Sequence, residues 1–383
     1  MHKNSKYLKN SATTALVLSG GFSKAAIWHI GVMLGLEELG YSIQKEDKFK
    51  SEKNITTIVG SSAGALIGSM LTNGYSAFEI AESQLPPYNG KIPQIKYSDI
   101  FRPNYSISTE LIKSLQMNGF YKELFNNLKN TSGLFTTEGI REYLLQYVIK
   151  DDEFINHQID FFVVATQLDH SRKCVFGKYK FPNPKHDPTT HYYKNFKISD
   201  SVSASMSVPI LYSPVKIKNP NTNEFNYFLD GEIRDTLSTH VAAENNCNTI
   251  ISSWIYTPYH YQKEIGSLNK YGIPAIGIQS LNLLIQKKIV SSRSNYSAAK
   301  DIIQTVNQYC KDQKLAEIHR KKLLRILELK LNYKQQIKYI DIYPKNSDTD
   351  FFFSSLISLS PQNIEKTIQL ARRRTIEVLN NET

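Results

Sequence analysis

The sequence predicts an α/β fold with a mostly parallel central sheet. Three observations carry that expectation. Strand-like and helix-like runs alternate from residue 14 onward, with a glycine turn at each of the first junctions. The strand-like runs are apolar throughout instead of alternating, as happens when helices cover both faces of a sheet. The chain has 383 residues, 41% of them hydrophobic, enough to bury a large core.

The elements follow in order. Residues 1–13 are polar and read as an unstructured lead-in. Ala15-Leu16-Val17-Leu18 is a short strand, broken by Ser19-Gly20-Gly21-Phe22-Ser23-Lys24. A helix is predicted from about Ser23 to Leu39, with Ile27, Ile30, Val32, Leu34 and Leu36 as its apolar positions and Gly40 as its stop. Residues 41–54 form a charged loop. Ile55 to Val59 is the second strand, and a helix after Ser62 runs to about Thr72, closed by Asn73-Gly74. Residues 75–135 are mixed and break at Pro86-Pro87. Thr136-Thr137-Glu138 opens a helix to about Val148, with a threonine as N-cap. Phe161 to Thr166 is a buried strand, 182–192 a loop, and Thr249 to Trp254 a further strand. From about 276 to 335 the chain is helical and basic. Lys338 to Tyr343 is the last strand, and Ser360-Pro361 opens a final helix to about Leu379. Without internal repeats or low-complexity linkers, the expected organisation is one domain over 14–383 with a helical insertion at about 276–335.

Net charge is +11, from 46 basic and 35 acidic residues. Such a balance favours anionic partners such as phospholipid head groups; a Lys-rich, well-solvated surface accounts for it equally. The basic residues are scattered and accompany no nucleic-acid-binding motif, so nucleic acid is not an expected partner. Between 315 and 331, Leu315, Ile318, Leu323, Ile326, Leu327 and Leu331 alternate with Lys and Arg. That face is expected to pack on its own protein more readily than on an anionic membrane. Cys174, Cys247 and Cys310 are sparse and lack zinc-site spacing, which suggests reduced thiols and no metal. The first residues lack the apolar core of a signal peptide, and no run approaches membrane-spanning length. The expected location is cytoplasmic or at a membrane periphery, with signal-less export left open. A Lys-, Asn- and Ile-rich composition fits an A·T-rich bacterial genome.

The chemistry is concentrated around Ser62. Gly60-Ser61-Ser62-Ala63-Gly64 has the G-x-S-x-G form of a nucleophile elbow, in which a strained strand-to-helix turn presents a serine hydroxyl. Gly60 and Gly64 are needed because side chains there would collide across the turn. An acyl-transfer enzyme also needs oxyanion donors and a base. The donors are sought in Gly20, Gly21 and Phe22, although a glycine-rich βα turn is common in such folds. Lys24 either contacts an anionic substrate group or solvates the surface. Neither nucleotide-binding glycine pattern fits this loop. As base, His157, His170, His186, His191, His240, His260 and His319 all lie in polar or basic surroundings without a distinctive motif. Asp230 ends the apolar run Tyr227-Phe228-Leu229 and is followed by Gly231. That is where an active-site carboxylate at the end of a strand belongs, and also where an ordinary turn-forming Asp belongs.

Taken together these residues resemble the patatin-like phospholipase family. The matching blocks are Gly20-Gly21-Phe22-Ser23-Lys24, Gly60-Ser61-Ser62-Ala63-Gly64 about forty residues on, Ala204-Ser205-Met206-Ser207-Val208-Pro209, and Asp230-Gly231. The resemblance implies a patatin-like three-layer fold. It also implies lipid acyl hydrolysis by a Ser62–Asp230 dyad, with backbone N–H groups of Gly20, Gly21 and Phe22 as oxyanion hole and no cofactor. An acyl-lipid substrate, a transient membrane surface and an unidentified protein activator are the partners it brings to mind. A thioesterase or transacylase on the same dyad, and a membrane-binding module that has lost activity, are the alternatives. The chain departs from the family pattern at Ala25, where glycine is usual, and at Glu232, where glycine or alanine often follows Asp-Gly. Glu232 either points inward, raising the proton affinity of the Asp230 pair, or faces solvent.

Overall fold

The structure, a computed structural model, describes residues 13–43, 53–104, 132–179, 189–331, 333 and 337–382. The predicted lead-in, most of the charged loop at 41–54 and much of the stretches at 75–135 and 182–192 lie outside them.

Nine strands form one sheet: β1 Thr14–Leu18, β2 Ile55–Ser61, β3 Asp160–Gln167, β4 Arg172–Gly177, β5 Thr190–Tyr193, β6 Val215–Lys218, β7 Phe225–Asp230, β8 Thr249–Ser253 and β9 Lys338–Ile342. The order is β9-β8-β1-β2-β3-β4-β5, with β7 on β3 and β6 on β7. The pairs from β9 to β3 are all parallel, and β4/β5 is parallel. The pairs β3/β4, β3/β7 and β6/β7 are antiparallel. β1 lies at the centre and is buried along its whole length, which explains its unbroken apolar run.

Helices surround the sheet. The ones that matter for the site are α1 Phe22–Glu38, α2 Ala63–Thr72, α3 Ala77–Gln84, α4 Ile198–Ser205, α5 Gly272–Asp312, α6 Glu317–Lys330 and α7 Pro361–Glu382. α1 packs closely on α7. A Cβ on Gly31 would lie 2.4 Å from the Ile368 carbonyl oxygen, so this approach depends on a small residue. The main core centres on Trp28, Phe161, Phe162, Phe176 and Phe228, all fully buried.

Three expectations change. The predicted threonine cap at 136–137 is absent: Thr137 makes no side-chain capping bond, and its hydroxyl instead meets Ser203 Oγ at 2.7 Å. Part of the predicted loop at 182–192 is strand, because β5 pairs in register with β4. The basic helical segment starts at Gly272 and forms two helices, α5 and α6. Leu324, Leu327 and Leu331 pack on a small second core of Ala299, Ile303 and Tyr333, while Leu315, Ile318, Leu323 and Ile326 stay exposed. Cys174, Cys247 and Cys310 are buried, and none is in a disulfide. Among the described residues no helix is long and apolar enough to cross a membrane.

Candidate active site

β2 ends at Ser61 and α2 begins at Ala63, so Ser62 alone makes the turn. Its backbone sits at φ 51°, ψ −121°. That conformation costs a non-glycine residue on the order of 1–3 kcal/mol and persists only where the surroundings enforce it. The enforcement is visible. A Cβ on Gly64 would lie 2.2 Å from the Leu18 carbonyl oxygen, and one on Gly60 would lie 2.6 Å from Ala65 Cα. Only glycines let α2 sit this close to the ends of β1 and β2. The Ser62 N–H donates to Ser205 Oγ at 2.8 Å, and Ser205 Oγ donates to the Val164 carbonyl at 2.5 Å. Ser205→Ala leaves a buried N–H without an acceptor, a loss of about 1–3 kcal/mol. The denaturant midpoint of this variant should therefore fall, and an unchanged midpoint would mean the elbow does not need the bond.

Strand register brings Asp230 to the same place. Val164 of β3 pairs with Ser61, and the next residue of β3, Ala165, pairs with Asp230. β7 thus takes over the edge of β3 where β2 leaves it. The Ser62 hydroxyl faces the Asp230 carboxyl and lowers its proton affinity. Asp230 Oδ1 also accepts from the Glu232 N–H at 2.8 Å. The Asp230 N–H donates to the Ser207 carbonyl at 2.9 Å. Ser205 and Ser207 thereby stitch the elbow and the acid strand to one short segment, which gives the Ala204–Pro209 block a physical role. Gly231 is needed because a Cβ there would lie 2.2 Å from the Val164 carbonyl oxygen. Asp230 is buried, and burial pushes its pKa up to about 6 against the Ser62 hydroxyl and the Glu232 N–H, which hold it down.

The glycine loop supplies the start of α1. Gly21 has φ 136° and Phe22 φ 57°. Neither α1 nor α2 has a side-chain cap; in the first turns the Lys24 N–H donates to the Leu356 carbonyl and the Ala65 N–H to the Ser62 carbonyl. Among the described residues the Gly21 and Phe22 N–H groups meet no acceptor. Gly20 departs from the expected role: its N–H already donates to Glu232 Oε1 at 2.7 Å. Ala63, the first residue of α2, was not singled out from sequence. It follows Ser62 directly, the position from which a nucleophile elbow provides an oxyanion donor. Glu232 points inward. Burial and the charge of Asp230 raise its pKa to about 8.

Lys24 neither contacts the site nor solvates the surface. It is 6% exposed, lies 4.2 Å from the centre of the Phe351 ring, and donates to the carbonyls of Phe351, Phe352 and Ser354. Helical periodicity is the reason. Phe22, Ala26 and Ile30 face the cavity at Ser62, and Lys24 projects from another side of α1. Burial lowers its pKa to about 7.

No histidine hydrogen bond among the described residues goes to Ser62; His186 lies outside them. His29 is fully buried between Ser19 and Ser253, with its pKa lowered to about 4 by burial. His157 bonds the carbonyls of Thr72 and Asp151, and His240 pairs with Asp235.

Ser62 opens into an apolar cavity of about 770 Å³, counting its mouth. Ser62, Leu66 and Met70 line it along α2, and Phe22, Ala26 and Ile30 along α1. This arrangement suits a hydroxyl nucleophile with a buried carboxylate partner beside a slot for an apolar chain.

A probable lipid hydrolase, 463L, of Invertebrate iridescent virus 6 is 25% identical over 256 residues, covering 65% of this chain and 70% of the viral protein. The family model for patatin-like phospholipases matches residues 16–243, which spans the glycine loop, the elbow and the Asp230 turn. The chain belongs to the patatin-like phospholipase family.

Proposed function

We propose that the protein is a lipid acyl hydrolase that cleaves carboxylic ester bonds through an acyl-enzyme on Ser62. The Ser62 hydroxyl beside the buried Asp230 carboxyl, at the mouth of an apolar cavity, carries this reading. Asp230 takes the Ser62 proton as the oxygen attacks the ester carbonyl. The backbone N–H groups of Gly21, Phe22 and Ala63 hold the oxyanion, helped by the N-terminal ends of α1 and α2. The alcohol leaves with the proton from Asp230. Water then attacks the acyl-enzyme, with Asp230 again as base, and releases the fatty acid.

Family membership and the viral lipid hydrolase support a lipid substrate. Ile357 lines the cavity and is 42% exposed, in keeping with a chain that enters from a lipid surface.

A fluorophosphonate probe tests the reading. It should label the wild type and fail to label Ser62→Ala. Labelling elsewhere, or none on Ser62 in the presence of lipid vesicles, would overturn it.

The acid side of the pH profile follows from Asp230. The base acts ionised, and burial holds its pKa near 6. On the acid side, the expected kcat/KM falls about tenfold per pH unit below that value. A midpoint near the ordinary aspartate value would point to a solvated base.

A further inference from the structure

The reading above leaves Glu232 without a task, although it touches both halves of the site. Its Oε1 accepts from the Gly20 N–H at 2.7 Å, and its own N–H donates to Asp230 Oδ1 at 2.8 Å. A Cβ on Gly20 would lie 2.6 Å from Glu232 Cγ and 2.8 Å from Ser62 Cβ, so Gly20 is wedged between the two. Gly20 is also the last fixed point before the backbone swings through Gly21 at φ 136° into the uncapped start of α1. Fastening Gly20 therefore fixes where the N–H groups of Gly21 and Phe22 point.

We propose that Glu232 is a positioning residue that fastens the glycine loop to the Asp230 turn, and that it does so as a neutral carboxyl. The proposal rests on the reading of Ser62 and Asp230 as the reacting pair.

The surroundings of the carboxyl favour the neutral form. Asp230 faces it from the end of β7, Tyr256 from the segment after β8, and the Ser61 hydroxyl from the end of β2. Thr236 donates to the Glu232 carbonyl at 3.4 Å. Lys288 of α5 reaches the carbonyls of Glu232 and Ile233, at 3.4 and 3.0 Å, and not the carboxyl. Among the described residues no cation pairs with the carboxyl, and its Oε2 is buried with no hydrogen-bond partner. A second carboxylate placed there would be uncompensated. The pKa of about 8 agrees with that geometry. The neutral acid keeps Oε1 as the acceptor for Gly20. The ionised acid adds negative charge beside the forming oxyanion, so it should slow the reaction.

Two readouts on the wild type, E232Q and E232A test this. The first is kcat/KM for a soluble acyl ester between pH 5 and 10. The wild type should lose about tenfold per unit above pH about 8, and E232Q should lose that alkaline fall. E232Q keeps the acceptor and should exceed E232A at least about tenfold at pH 7, since a misplaced oxyanion donor is costly. An alkaline fall that persists unchanged in E232Q, or equal activity of the two variants, would overturn the proposal.

The second readout needs no activity: the denaturant midpoint of the wild type relative to E232Q over the same pH range. The folded-state pKa lies above the ordinary glutamate value, so between the two values the folded protein holds a proton that the unfolded chain gives up. The wild type should be at its best relative to E232Q below pH about 4.5 and lose ground until about 8. If E232Q does not fold, E232A serves as the non-titrating reference. Parallel midpoints would overturn the neutral carboxyl. Absence of ester hydrolysis in every form would instead count against the function, while the midpoints still read the Glu232 proposal.

Discussion

Replacing Asp230 by asparagine should lower kcat/KM by at least about four orders of magnitude, close to the loss in Ser62→Ala, because members of a catalytic unit fail together. Asparagine keeps the shape and can still accept from the Glu232 N–H, so the fold should survive. What it cannot do is take the Ser62 proton. Histidine variants sharpen the test. Both ring nitrogens of His157 are engaged with Thr72 and Asp151, and Nδ1 of His240 with Asp235, so His157→Ala and His240→Ala should retain most of the activity. His29→Ala is a different case. It removes a buried ring that bridges Ser19 and Ser253, and should cost stability before it costs chemistry. The measurement is ester hydrolysis with purified variants, with unfolding curves as control. Loss of activity in a well-folded histidine variant would replace the dyad with a triad.

The tight turns at Ser62 and Asp230 were legible in the sequence because backbone geometry demanded particular residues. Gly60, Gly64 and Gly231 sit where a Cβ would strike a neighbouring chain, and no other residue would serve. The central strands were legible for a related reason: burial on both faces keeps Ala15 to Leu18 of β1 apolar throughout. The edge of the sheet was harder to read. β6 alternates between exposed and buried residues over only four positions, and β5 is mostly half-buried, so neither departs much from a polar loop. Their strand character comes from pairing with β7 and β4, a long-range fact that local pattern does not carry.

The fates of Lys24 and Glu232 were illegible for the same reason. A lysine in a helix ordinarily points to water. Here the carbonyls of Phe351, Phe352 and Ser354, more than 300 positions later in the chain, close over it. Glu232 follows an Asp-Gly turn, and either of its two orientations satisfies the local sequence. Only the approach of Gly20, at a separation of 212 residues, selects the inward one. Both cases are polar groups whose partners are backbone atoms, and backbone partners leave no trace in residue type.

The cavity makes the most discriminating prediction. Along α2, Ser62, Leu66 and Met70 face it at intervals of one turn. At about 1.5 Å of rise per residue, Met70 lies roughly 12 Å beyond the nucleophile and Leu66 roughly 6 Å. An acyl chain attached to Ser62 should therefore run past Leu66 toward Met70, between α2 and the Ala26–Ile30 stripe of α1. Leu66→Trp should close the slot about halfway. Short acyl esters should keep their kcat/KM within a few-fold. Long ones should lose the burial of four to six methylenes, at about 0.8 kcal/mol each, or about 3–5 kcal/mol. The long-to-short ratio of kcat/KM should then fall by about two to three and a half orders of magnitude. The two substrates are compared on one protein, so any general destabilisation by the tryptophan cancels from the ratio. Equal losses for short and long esters would mean the chain does not lie along α2, and the cavity would then hold some other part of the substrate.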